Sequence, residues 1–168
     1  MRTILTTLRT MQLKDCWLCA GSVRNFIWND CRFDPSTDVD VIFFDPDISY
    51  EETQALEASL RSCYPAYRWE LKNQVFMHIH NPNTVSYQSA QDAIVKFPER
   101  CTAIGIRLLS DNQLEIYAPF GLNDLYDYRV RPTPYFEVDC ERMLVYRKRL
   151  KQKTWSNRWP QLTIEGID

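Results

Sequence analysis

Two aspartates separated by a single valine, Asp38 and Asp40, are the residues of this chain best suited to chemistry. They sit in Ser36-Thr37-Asp38-Val39-Asp40-Val41-Ile42. In a strand, alternate residues share a face, so both carboxylates are expected on one side while Val39 and Val41 enter the core. Two carboxylates on one face form a site for a hard divalent cation, Mg2+ or Mn2+, and neither tolerates burial well without such a partner. Upstream stands Ala20-Gly21-Ser22-Val23-Arg24-Asn25. Read as a buried strand (16–20), a tight Gly21-Ser22 turn and a helix (23–30), it aims backbone N–H groups and a hydroxyl at phosphate oxygens. Gly21 permits the close backbone approach that a side chain blocks. Arg24 and Asn25 have two readings. They are phosphate contacts from the first helical turn, or else a solvated helix residue and a local cap.

An Asp-x-Asp pair on a strand occurs in other classes too. Dehalogenase-type phosphatases place apolar residues before the first Asp and a Thr two positions after the second. Here the apolar run follows the pair and position 42 is Ile, so that pattern fails. Nucleotide-sugar glycosyltransferases hold a metal with such a pair, but lack the upstream Gly-Ser turn.

The elements that must position these residues alternate between helix and strand, which predicts an α/β (α+β) fold with a mixed sheet flanked by helices. Ile4, Leu5, Leu8 and Met11 form one stripe of a first helix. Ser49-Tyr50-Glu51-Glu52 has capping-box spacing and opens a helix to about Cys63. Residues 67–79 read as one long strand. Trp69, Leu71, Asn73, Val75, Met77 and Ile79 fall on one face; Glu70, Lys72, Gln74, Phe76, His78 and His80 fall on the other. Lys72, Gln74 and His78 are therefore candidates for a cleft wall beside Glu70. The His78-Ile79-His80 spacing also suits a zinc pair, although a cleft residue and a strand end account for it better. A hairpin is expected around Ser110-Asp111-Asn112, a short helix over 121–128 and a longer one over 139–153. This last helix and its tail carry, between Arg142 and Arg158, the basic residues Arg142, Arg147, Lys148, Arg149, Lys151, Lys153 and Arg158 and no acid, with Trp155 and Trp159 near the end. That is either a platform for a polyanion or a solvated helix face with its tryptophans packed home, and the second reading is preferred.

The chain has 168 residues and a formal net charge of -2, so it lacks the basic field of a general nucleic-acid binder. No long nucleic acid is expected as an obligatory ligand, while a small nucleotide remains compatible. No stretch has membrane-spanning length and the first residues have no apolar secretory core, so a cytoplasmic protein with no membrane partner is expected. The six cysteines are read as reduced and mostly buried. Cys16 and Cys19, three apart on a strand, face opposite sides and cannot chelate together. One domain over 1–168 is expected, with its core at about 15–130 and a basic helix and tail at about 139–168.

The sequence resembles the polymerase-β-type nucleotidyltransferase superfamily, and more closely a bacterial family of stand-alone nucleotidyltransferase-like proteins. The resemblance rests on residues 20–25 with Trp28, and on Asp38-Val39-Asp40-Val41. It extends to Trp69-Glu70-Leu71-Lys72-Asn73-Gln74 with His78, and to 118–125, Arg131-Pro132 and Trp159-Pro160. It implies transfer of a nucleoside monophosphate from a nucleoside triphosphate to an acceptor hydroxyl, with release of pyrophosphate. The resemblance also implies Mg2+ or Mn2+ held by Asp38, Asp40 and a third carboxylate on a neighbouring strand, for which Glu70 is the candidate. Gly21 and Ser22 then hold the distal phosphates, joined by Arg24 and Asn25. Asn73 and Asp124, in the matching blocks, join Lys72, Gln74 and His78 as cleft or acceptor candidates. The acceptor stays open between a small molecule, a protein and RNA. A nucleotide-binding pseudoenzyme or regulatory module, a toxin or resistance protein of the same fold, and a glycosyltransferase stand as alternatives.

Overall fold

A computed structural model of the chain describes residues 1–167. Its first helix, α1 (Arg2–Met11), buries Ile4, Leu5 and Leu8 and ends where Gln12 turns left-handed at φ 54°. The central sheet has the order β3-β2-β1-β4-β5, formed by β1 (Trp17–Cys19), β2 (Asp38–Phe43), β3 (Arg68–Asn73), β4 (Gly105–Leu108) and β5 (Leu114–Tyr117). β2 and β3 run parallel; the other pairs are antiparallel. The mixed α/β architecture is the one expected, and the β4–β5 hairpin turns around residues 110–112 as the sequence indicates.

Parity explains the two faces of the sheet. Val39, Val41 and Phe43 of β2, Leu18 of β1 and Trp69 and Leu71 of β3 enter one large core with α1 and the C-terminal segment. The opposite face is divided. Trp17, Cys19 and Ile42 are covered by α4 (Ala90–Val95) through Ala90 and Ile94, whereas Asp38 and Asp40, of the same parity as Ile42, continue that face without an apolar cover.

Helix α3 (Tyr50–Cys63) opens with the capping box of Ser49 and Glu52. It also closes the free edge of β3. The Glu57 carboxylate accepts from the Leu71 N–H at 2.7 Å, and Arg61 donates to the Trp69 carbonyl at 2.9 and 3.0 Å. Glu57 and Arg61 pair with each other at 2.9 Å. An edge strand with its backbone groups satisfied this way offers no template for another chain.

Two expected element boundaries are corrected. Helix α2 (Ala20–Trp28) starts three residues earlier than expected, because Ala20 takes φ 50° and turns β1 directly into a helix. Gly21 and Ser22 thus lie in its first turn. The expected strand over 67–79 ends at Asn73, and Gln74–His80 is a 3-10 helix. Asn73 stops it: its side-chain oxygen accepts from the N–H groups of Val75 and Asp45, both at 3.3 Å, and its amide donates to the carbonyls of Asp45 at 2.7 Å and Ile48 at 3.0 Å. A side chain that fills all four of its positions locally competes with the ladder.

The C-terminal part packs onto this core. After α5 (Asn123–Tyr126), β6 (Arg129–Val130) and α6 (Pro134–Glu137) come α7 (Cys140–Gln152) and α8 (Trp155–Arg158). Strand β7 (Thr163–Ile164) then pairs with β6. Tyr146, Leu150, Trp155 and Trp159 all join the large core. No described helix is long and apolar enough to cross a membrane. Cys19 and Cys101 are buried and Cys16 is half-buried, but Cys31, Cys63 and Cys140 are exposed, so the cysteines are less buried than expected.

Candidate active site

Strand β2 carries Asp38 and Asp40 on one face, and the parallel register sets Glu70 directly beside Asp40 and Arg68 beside Asp38. Equal parity across the pair puts all three carboxylates on the same face. Parity within residues 68–73 is as the sequence indicates: Trp69, Leu71 and Asn73 are buried, and Glu70 and Lys72 are turned the other way.

The first turn of α2 is built around Asp40. Past the end of β1, the Ser22 hydroxyl stands in for a strand neighbour: it donates to the Asp38 carbonyl at 2.9 Å and accepts from the Asp40 N–H at 2.6 Å. The Ser22 N–H donates to Asp40 Oδ2 at 3.1 Å. A Cβ on Gly21 would fall 2.9 Å from that same oxygen, so glycine is needed for the carboxylate to lie against the helix. Ser22 is therefore committed to fixing the acidic pair, a role its motif alone does not reveal.

The Asp40 carboxyl is raised to about 6, chiefly by burial and then by the charges of Glu70 and Asp38, while the Ser22 N–H and Arg24 pull the other way. Neither Asp40 nor Glu70 has an ion pair among the described residues. Asp38 does: Arg68 Nε lies 3.0 Å from its Oδ1.

Arg24 is not solvated. It is 3% exposed, with Nε and Nη2 donating to Asn25 Oδ1 at 3.1 and 2.8 Å. Its guanidinium lies between two indoles, 4.1 Å from Trp155 and 5.0 Å from Trp28. Burial lowers its pKa, and its Nη1 has no hydrogen-bond partner. Asn25 donates onward to Thr37 Oγ1 at 3.2 Å, tying α2 to the turn before β2. Behind this layer Glu99, wholly buried, accepts from Arg149 Nε at 2.6 Å and from Thr102 Oγ1 at 2.7 Å.

The remaining candidates do not gather here. Lys72 is exposed and lies 3.8 Å from Glu57 at the sheet edge. Asn73 is the buried strand stop described above. Gln74 is buried and donates to the Lys72 carbonyl at 3.3 Å. His78 belongs to the 3-10 helix, with Nε2 3.4 Å from Ser86 Oγ, and His80 is exposed, so the expected polar stripe through residues 74, 76, 78 and 80 does not exist. Asp124 is buried in an ion pair with Arg131, 2.9 and 3.1 Å from its Nε. Of the basic C-terminal residues, Arg142 bonds Asp139, Arg147 the Gly166 carbonyl, Arg149 Glu99 and Arg158 Asp34. Trp155 and Trp159 are buried, as the preferred reading of this segment holds. Arg68, missed as a site residue, was accessible from parity, two positions before Glu70. Trp155, Glu99 and Arg149 had no local signal.

No group of three acidic, histidine or cysteine side chains among the described residues is drawn together as a finished metal cage. The donor set nonetheless fits a divalent cation. It is all oxygen, it crowds negative charge around a carboxyl already raised by burial, and a hard cation relieves both conditions.

A mixed sheet with an acidic row against a Gly-Ser helix start defines the nucleotidyltransferase class. The chain belongs to this family: the family model described as Nucleotidyltransferase matches residues 6–164. It is 54% identical to a protein whose NMR structure is described as revealing a CCA-adding enzyme head domain. That match has a TM-score of 0.92 and covers 98% of this chain and 88% of the other. Two structures of tRNA-processing enzymes, one in a complex and one an apo form, share the fold at 16% identity and TM-scores of 0.58. Each match covers 98% of this chain, which spans 44% and 45% of theirs. No curated protein matches by sequence.

Proposed function

We propose that this nucleotidyltransferase moves a nucleoside monophosphate from a nucleoside triphosphate to an acceptor hydroxyl, with Mg2+ or Mn2+ held by Asp38, Asp40 and Glu70. The observation that supports it most is the placement of three carboxylates on one face of two paired strands, one of them seated against the first turn of α2. The acceptor oxygen forms a bond to the α-phosphorus, the bond to pyrophosphate breaks, and the hydroxyl proton leaves to solvent. Bound divalent ions would supply charge neutralisation for the leaving pyrophosphate and acidify the hydroxyl. The chain's own part is positioning. Ser22 seats the Asp40 carboxylate, and the start of α2 at Gly21 offers its backbone N–H to a distal phosphate. Glu70 and Asp38 border the open side, where a cleft of about 410 Å3 lined also by Arg61, Tyr67 and Arg68 leaves room for the acceptor.

The description of the 54% identical structure as a CCA-adding enzyme head domain makes an RNA 3′ hydroxyl the first acceptor to try. The net charge of -2 argues that such an RNA is held by local contacts rather than by a broad basic field. The test is a screen of the four NTPs with Mg2+ or Mn2+, reading pyrophosphate release with RNA and with cell extract as acceptor sources. Metal-dependent release is expected. Equimolar nucleotide binding with no release under any condition would instead indicate a nucleotide-binding module without transfer.

A further inference from the structure

Arg68 faces Asp38 across the parallel ladder and is anchored at two points. Its Nε pairs with Asp38 Oδ1 at 3.0 Å, and its Nη1 donates to the Ser36 carbonyl at 3.1 Å. That carbonyl is itself held in place. Asp34 accepts from the Ser36 N–H and hydroxyl, both at 2.8 Å, and Arg158 binds Asp34 from the C-terminal segment. The guanidinium therefore has a defined resting place on one of the three carboxylates proposed to hold the cation.

The pair is also easy to exchange. The Asp38 and Arg68 side chains are 42% and 63% exposed, and ion pairs in such surroundings are weak and readily screened. Beside them opens the cleft of about 410 Å3 into which a freed guanidinium can swing. Arginine's planar fork matches phosphate oxygens as well as it matches a carboxylate.

We propose that Arg68 is a displaceable counter-cation that makes the site select a metal–nucleotide complex over the bare metal ion. This inference rests on the function proposed above. In the metal-free protein Arg68 occupies Asp38. A bare divalent cation must displace it and then sit beside a stranded positive charge. A cation arriving with a triphosphate brings phosphate oxygens to receive the same guanidinium, so displacement is compensated. Cation and nucleotide affinities are thereby coupled through one side chain, and the coupling is reciprocal.

The experiment is calorimetric titration of Mn2+ into wild type, Arg68→Met and Arg68→Lys, each with and without a non-hydrolysable α,β-methylene NTP. Arg68→Met is expected to bind bare Mn2+ about three- to tenfold more tightly, the scale of one partly screened charge. The factor by which the analogue tightens Mn2+ binding should fall by a similar amount, and Arg68→Lys should lie between the two. A purely structural arginine predicts a lower melting temperature and no gain in Mn2+ affinity. Equal or weaker Mn2+ binding by a folded Arg68→Met protein, with coupling unchanged, overturns the proposal. Wild type that binds Mn2+ neither alone nor with the analogue overturns the proposed function as well. If Arg68→Met does not fold, Arg68→Gln answers the same question with the same readout.

Discussion

Asp40 and Asp38 stand two residues apart on the same face of β2, in opposite surroundings. Asp40 is largely buried, gripped by the Ser22 N–H, and fitted into the space that Gly21 leaves open. Asp38 is half in water and tied to an arginine that is more exposed than itself. The first half of the site is fixed by backbone and close packing, so it suits groups whose position must not vary. The second half is held by a weak, water-facing pair, so it suits groups that come and go. Glu70 belongs to both: it raises Asp40 electrostatically and borders the cleft next to Arg68.

The largest test of that division is Glu70→Gln. A neutral amide keeps the shape of the side chain but holds a cation poorly. Transfer should fall by about 10²-fold or more, because phosphoryl-transfer chemistry depends on charge stabilisation at its centre. The fold should stay intact. Asp40→Asn should likewise lose the rise in melting temperature that Mg2+ with an NTP gives wild type. A fully active Glu70→Gln protein would require another third ligand.

Leu71→Ala sharpens the comparison from the other side of β3. Leu71 is 2% exposed and points into the large core, away from the carboxylates. Its truncation should cost about 2–5 kcal/mol of stability through the cavity it leaves. Urea unfolding measures the cost, and the surviving folded protein should retain its nucleotide affinity. A stable but inactive variant would mean that the two faces of the strand are not separable in function.

The parity that separates Leu71 from Glu70 was legible in the sequence, as were the paired aspartates, the capped α3 and the hairpin. It failed beyond Asn73, because an asparagine that bonds the backbone two residues on ends a strand without disturbing the hydrophobic alternation that announces one. Ile79 shows the consequence: assigned to the apolar face, it is 73% exposed. Arg24 failed differently. The sequence left it either a phosphate contact or a solvated helix residue, and the Trp155 that buries it lies far downstream. Asp124 and Arg131 pair around a turn whose geometry no local pattern encodes. Local rules therefore placed the acidic row, while the shell around it required the long-range contacts.

Gly21→Val tests whether the fixed half is as intolerant as its packing indicates. Even the Cβ would meet Asp40 Oδ2 at 2.9 Å, with Arg24 Nη2 at 3.9 Å, and the carboxylate has little room to retreat from Ser22. A displaced Asp40 and a blocked helix start should weaken NTP binding by about tenfold or more, since positioning errors near 1 Å are costly. Titration of folded mutant and wild type with Mg2+–NTP checks this. Equal affinities would leave Gly21 a structural corner only.

The smallest effect concerns stability in the absence of metal, where the fixed half should cost the protein something. The Asp40 carboxyl is raised to about 6 chiefly by burial, then by Glu70 and Asp38, whereas an unfolded aspartate ionises near ~3.9. A group raised in the folded state contributes stability that is fully present below its unfolded value and is lost as the pH climbs through its folded value. Ionised Asp40 therefore opposes folding at neutral pH, by about 1–2 kcal/mol once solvent screening is discounted. Asp40→Asn removes that opposition, and its amide oxygen still accepts from the Ser22 N–H. In chelator-treated protein, Asp40→Asn should be more stable than wild type at pH 7, and the advantage should shrink towards zero as the pH falls from about 6 to 4. Urea midpoints across that range, read as the difference between the two proteins, cancel the other carboxylates. A variant that is less stable at pH 7, or a difference independent of pH, would mean that Asp40 already finds its compensating cation within the chain, and the buried Arg24 would be the residue to examine.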